Sequence, residues 1–300
     1  MEPGTTLSPQ NGVSSLAGFD SLMPADMALK AEEIGVRKAG MDLVTKAGLS
    51  VLAGAFIALG ALFATITLTG VEGLAPWGWG RAVAGVAFSL GLILVVIGGA
   101  ELFTGNNLIV MAWASRRITT GAVLRDWTIV YFGNFVGAVA TAAIVFLSGH
   151  YQMGHGAAGA MARDIALKKV HLGSVQAIAS GMLCNALVCM AVWLTYSCRT
   201  TGGKIAAFVF PIAAFVAAGF EHCVANMYFV PLAMFIRLGA PAGFWSAANL
   251  SPDTFGDVAM PGFLLNNLLP VTIGNIVGGA VMVGAVYWIV YMRKRRDPLS

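Results

Sequence analysis

Six stretches of the chain are almost free of charge, and they set its layout. Residues 47–71 lie between Lys46 and Glu72, long enough for one helix across a bilayer, which needs about 20 apolar residues. A second stretch follows Arg81 and runs to Ser115, interrupted only by Glu101. The third follows Asp126 and stays apolar to about Ser148, and the fourth lies between His171 and Arg199. A fifth, 205–236, is interrupted by Glu221 and His222, and a sixth runs from near Phe263 to Met292. This pattern predicts an all-α integral membrane protein with six transmembrane helices.

Stretches two and five are too long for simple spans. At 1.5 Å per residue, thirty-odd helical residues reach roughly 50 Å, against a hydrocarbon core of about 30 Å. Each carries a polar cluster near its middle, Glu101-Leu-Phe-Thr104-Gly-Asn106-Asn107 and Glu221-His222-Cys-Val-Ala-Asn226. Both are expected to be broken there. In each, a Glu precedes an Asn by five residues, and a Gly-Asn-x-Val-Gly motif follows on the next span, at Gly133–Gly137 and Gly274–Gly278. Gly54 and Gly181 mark the remaining pair of spans. Two halves of three helices insert with opposite orientation because three is odd. The prediction is an inverted 3+3 repeat with its site where the broken helices meet.

Composition agrees, with 58% hydrophobic and 11% charged residues, against about 25% charged in soluble domains. The net charge of +4 follows topology rather than a nucleic-acid surface. Thirteen of the eighteen Lys and Arg residues fall on the side of the termini and five on the other, which predicts cytoplasmic termini in the cytoplasmic (inner) membrane. The four cysteines show no metal or disulfide spacing, and the first 25 residues lack signal-peptide order. Residues 1–25 are expected to be mobile. Residues 26–46 read as an amphipathic helix, lying on the membrane surface or simply solvated; 47–292 form the membrane domain and 293–300 a basic tail. No nucleotide-binding, metalloprotease or nucleophile-elbow motif occurs, so no enzyme, cofactor or metal is expected.

Chemistry concentrates at the two breaks. Glu101 and Glu221 are the acids inside apolar runs, where an ionisable group is costly. They read either as staples for backbone N–H groups freed by the breaks or as functional groups. His222 has no counterpart in the first half, where Leu102 stands; its ordinary pKa of about 6.5 suits proton exchange near neutrality, while the bland reading is a hydrogen-bonded core histidine. Thr104 offers a hydroxyl toward an anion. Phe88, Leu92 and Phe215 are either core residues or constrictions that exclude hydrated ions. Asn134 and Asn275 should face protein, and their flanking glycines suit close helix packing.

Glu101-Leu-Phe-Thr104, Tyr131-Phe-Gly-Asn134, Lys169-Val-His171, Gly219-Phe-Glu-His222-x-x-Ala-Asn226-Met and Leu269-Pro-Val-Thr-Ile-Gly-Asn275 together resemble the formate/nitrite transporter family, and within it the FocA-type formate channels. The likeness covers roughly residues 28–292. It implies an aquaporin-like protomer in a homopentamer, one pore per protomer, embedded in membrane lipid and passing formate or a related small anion. It implies that His222, with Thr104 and its polar partner Asn275, forms the pore centre or proton relay. Phe88, Leu92 and Phe215 would form the constrictions, and Lys169 would sit in the vestibule. Leu102, Phe103, Glu101, Glu221, Asn226 and Asn185 would shape the broken-helix loops. It also implies pH gating at the N-terminal helix, where a formate-producing enzyme could dock. The first break departs from the formate type in reading Thr104-Gly-Asn-Asn, which leaves nitrite or hydrosulfide as the alternative cargo. A neutral-solute channel and a haem-bearing membrane subunit are remote: the paired Asn-Pro-Ala breaks of the former and a second buried histidine for the latter are missing.

Overall fold

A computed structural model describes residues 21–256 and 258–296. Most of the stretch expected to be mobile, and the end of the basic tail, lie outside the described residues. The described residues form helices and the turns between them. Helix α1 (Pro24–Ala39) is followed by α2 (Leu43–Leu68), which Asp42 caps by accepting the Thr45 N–H. The lead-in helix is therefore shorter than 26–46, and residues 43–46 belong to the first span. Next come α3 (Trp77–Ile97), the short α4 (Phe103–Asn106) and α5 (Val110–Ala114), and α6 (Thr120–Leu147). The second half begins with α7 (Ala157–Val170) and continues through α8 (Ser174–Ser197), α9 (Thr201–Ala218) and α10 (Cys223–Gly239). A last span includes Leu269–Ile276 and ends at Val286–Tyr291. Among the described residues, six helices are long and apolar enough to cross a membrane.

Both breaks occur where the charge pattern puts them and are made by the same device. α3 runs out at Gly99 and α9 at Gly219, both left-handed with φ of 76° and 78°, a conformation that glycine adopts without steric cost. The following N–H reaches back five residues in each case, Ala100 to Val95 O at 2.8 Å and Phe220 to Phe215 O at 2.9 Å. Two or three extended residues then lead into α4 and α10.

The halves are held by backbone contact. A Cβ on Gly137 would collide with Val51 O, and one on Gly278 with Met182 O. The small residues of the repeated motif thus let α6 lie on α2 and the last span on α8 without intervening side chains. The repeat also reaches further than three helices. α1 and α7 each precede a half and each deliver a lysine, Lys38 or Lys169, to the glutamate of that half's break.

Candidate functional site: the two breaks and the cavity above them

The freed backbone at each break is satisfied by an asparagine. Asn134 Oδ1 accepts the Phe103 N–H at 2.9 Å, and its Nδ2 donates to Ser50 O and Glu101 O at 2.7 and 2.9 Å. Asn275 Oδ1 accepts the Cys223 N–H at 2.9 Å, and its Nδ2 donates to Gly181 O and Glu221 O at 2.8 and 3.0 Å. Asn275 was expected as the polar partner of His222. Its amide instead bonds the backbone on either side of that histidine, at Cys223 N–H and Glu221 O, and Gly181 O of α8. Asn185 reinforces the crossing, donating to Asn275 O at 2.7 Å and Thr104 O at 3.2 Å.

The asparagines thus take the stapling part that the sequence offers the glutamates. Rather than binding backbone N–H groups, the glutamate side chains bind lysines and amides. Lys38 Nζ donates to both Glu101 oxygens and to Asn106 Oδ1, at 2.7–2.9 Å. Lys169 Nζ lies 3.0 and 3.1 Å from the Glu221 oxygens and 5.2 Å from the Phe229 ring centroid. Asn106 and Asn226 donate to their glutamates at 2.7 Å. The first half then adds a second ion pair, Lys46 to Asp126 at 2.6 Å with both side chains fully buried, where the second half has the neutral Asn267. Lys38, Lys46, Asp126 and Asn267 were not singled out from sequence. One signal pointed to two of them: Asp126 and Asn267 each stand eight residues before the motif asparagine.

His222 occupies the N-cap of α10. Its Nδ1 accepts the Ala225 N–H at 3.1 Å, and Nε2 lies 3.0 Å from Thr104 Oγ1. A ring nitrogen that accepts a backbone N–H carries no proton, so the neutral ring is protonated at Nε2 and donates to Thr104. That leaves the Thr104 O–H to be donated elsewhere. Leu102 holds the equivalent N-cap position of α4 without a side-chain cap. The two halves thus differ most at this position, where Thr104 of one meets His222 of the other.

Above His222 lies a cavity of about 620 Å³, lined by the end of α2, the start of α3, α7 and the end of α9, on the face away from α1. Phe88, Phe215 and His222 line its floor and Lys169 and Glu221 its wall. Phe88 and Phe215 meet edge to face at 5.6 Å, and Phe215 stacks on His222 at 5.9 Å. Leu92 is fully buried one turn below Phe88. Phe103 packs away from this floor, against Tyr131 and Trp127. Asn107, part of the departure at the first break, donates to Phe103 O at 2.8 Å and accepts from Asn185, so its amide serves the loop. Among the described residues no group of His, Cys, Asp and Glu could hold a metal ion.

The sequence pattern of the formate/nitrite transporter family matches residues 25–289. The formate channel FocA of Escherichia coli K12 is 45% identical over 92% of this chain and 96% of its own length. That of Haemophilus influenzae is 40% identical over 88% and 93%. A solved pentameric formate channel with formate bound superposes with a TM-score of 0.80 at 42% identity, covering 84% of this chain and 98% of that one. An FNT family ion channel gives 0.74 at 28% identity over 88% and 98%. With the repeat, the paired breaks and the buried Thr104–His222 contact already in place, these likenesses settle the assignment: the chain belongs to the formate/nitrite transporter family.

Proposed function

We propose that the protein passes small monovalent anions, formate first, across the cytoplasmic membrane as a homopentamer with one pore in each protomer and cytoplasmic termini. The observation that carries this reading is the buried Thr104–His222 pair beneath an otherwise aromatic cavity floor. Family membership and the likeness to formate channels support the cargo and the assembly, and the bias of Lys and Arg supports the orientation.

A bare carboxylate passing Phe88, Phe215 and Leu92 sheds its water and costs several kcal/mol or more. Formic acid, being neutral, avoids most of that cost. Lys169 stands in the vestibule wall, where Glu221 largely balances its charge. A neutral ring cannot give its Nε2 proton to formate, because the imidazolate left behind is by far the stronger base. The ring therefore first takes a proton from the vestibule side, giving up the Ala225 N–H as it becomes imidazolium. At the floor, formate then takes the Thr104 hydroxyl proton as Thr104 takes that of His222 Nε2, which leaves the ring neutral. Formic acid leaves, one proton crosses with each formate, and return of the remaining ring proton to Nε2 restores the cap. The Asn106-Asn107 departure weighs little against formate, because both amides are bonded within the break.

Uptake of labelled formate and nitrite into proteoliposomes, with internal pH recorded, tests the reading. Formate should enter faster than nitrite and acidify the lumen. Nitrite entry without formate entry would contradict it.

A further inference from the structure

Besides Lys168 and Lys169, Arg81 lines the vestibule. Arg81 sits on α3 seven residues before Phe88 and eleven before Leu92, which puts the three on one helix face, Arg81 about 10 Å above Phe88. Its side chain lines the cavity and lies over Trp77, with Cζ 5.1 Å from a ring centroid. Nε donates to Ala217 O at 2.6 Å and Nη2 to Val216 O at 2.9 Å. Those carbonyls end α9, the half-helix that leads through Gly219 to Glu221 and His222. A Cβ on Gly219 would lie 2.8 Å from Nη2, so the guanidinium rests against the break itself.

Two features separate Arg81 from an ordinary cap. The other charges near it are paired or peripheral: Lys169 is bound by Glu221 and Asp164 by Arg163, while Lys168 and Glu72 are exposed at the rim. Among the described residues no carboxylate forms an ion pair with Arg81. A guanidinium also has five N–H groups, and α9 engages only Nε and Nη2. The end of α9, left alone, presents a partial negative charge of about half a unit to an arriving anion. Arg81 reverses that sign at the last point before the aromatic floor.

We propose that Arg81 is an anion-binding residue of the outer vestibule, holding formate or another small planar anion through its unused N–H groups while it fixes the end of α9. This rests on the reading that formate enters by this cavity. The charge-assisted fork that Arg offers a carboxylate is stronger than neutral contacts, so binding rather than turnover should report its loss.

The test is initial formate uptake against concentration in proteoliposomes of the full chain. R81Q keeps amide donors for the α9 carbonyls without the charge, and R81K keeps the charge. For R81Q the half-saturating formate concentration should rise about tenfold with maximal flux within about twofold of wild type. R81K should stay within about threefold, and added salt should weaken low-concentration uptake by wild type more than by R81Q. R81M, of similar length and neutral, replaces R81Q if that variant does not assemble. A neutral variant with wild-type half-saturation overturns the proposal. So does a joint fall of thermal stability and maximal flux in the neutral variant and R81K at unchanged half-saturation, which would leave Arg81 a cap only. A wild-type protein that carries no formate overturns the functional reading and this proposal together, whereas an unchanged neutral variant beside an active wild type overturns this one alone.

Discussion

At Asn134 and Asn275, one amide each closes two backbone groups that the break would otherwise leave unpaired in a buried, membrane-spanning setting, and ties them to a carbonyl of the neighbouring span. An unpaired buried group costs about 1–3 kcal/mol. Asn134→Ala and Asn275→Ala should therefore each destabilise the protein by at least about 2–4 kcal/mol, read as thermal unfolding in mild detergent. Losses below about 0.5 kcal/mol would show that water closes the breaks instead. The buried Lys46–Asp126 pair makes a sharper case. Asp126→Asn copies the residue found in the second half, Asn267, but strands Lys46, and should cost about 3–5 kcal/mol. The double change with Lys46→Met should recover most of that. A double variant no better than Asp126→Asn would mean that the pair is not the unit of stability.

Among the elements, the position of both breaks was legible in the sequence, because an acid and an amide cannot recur inside apolar runs without a structural reason. The division of labour there was not. Spacing shows which residues recur but not which way they face, and the asparagines that close the backbone stand one span away from the breaks they serve. Lys38 lies 63 residues from Glu101, and a basic residue on a lead-in helix looks like any solvated charge. The resemblance of α1 to α7 was hidden for the same reason, since their sequences differ while their last-turn lysines do the same thing. Close packing was better marked. Gly137→Ala and Gly278→Ala each push a methyl into a carbonyl of the neighbouring span, and each should cost about 1–3 kcal/mol or more; unchanged unfolding temperatures would mean that the spans can separate freely. At the start of α2 the Thr45 N–H holds the Asp42 carboxyl below the ordinary aspartate range. A lowered folded-state pKa stabilises above the unfolded value and loses its effect as pH falls through the folded one. The stability gap between wild type and Asp42→Ala should thus be present at pH 7 and shrink below about pH 4, as followed by thermal unfolding at each pH.

For the whole molecule, the two halves are nearly equivalent in backbone closure and differ in charge and in the cap of the second half-helix. His222 replaces Leu102 at that cap, and the first half buries an extra ion pair. An equivalent scaffold with one unlike group at its centre suits a pore in which the scaffold is held fixed and a single pair acts on the cargo. Large apolar side chains remain exposed on the spans, Phe210 at 80% and Phe132 at 63%, and lipid and neighbouring protomers should share them. Native mass spectrometry in mild detergent should find five copies, and a stable monomer would count heavily against the assembly. The central claim is that Thr104 and His222 hand a proton to the passing anion. Formate uptake recorded together with internal pH, in proteoliposomes from pH 5 to 8, tests it most directly when wild type is compared with His222→Phe and His222→Asn. Both variants should lose proton-coupled entry while retaining assembly, with any remaining flux moving as the anion and leaving internal pH unchanged. If both keep wild-type acidification with each formate taken up, His222 is only a capping residue and the relay does not exist.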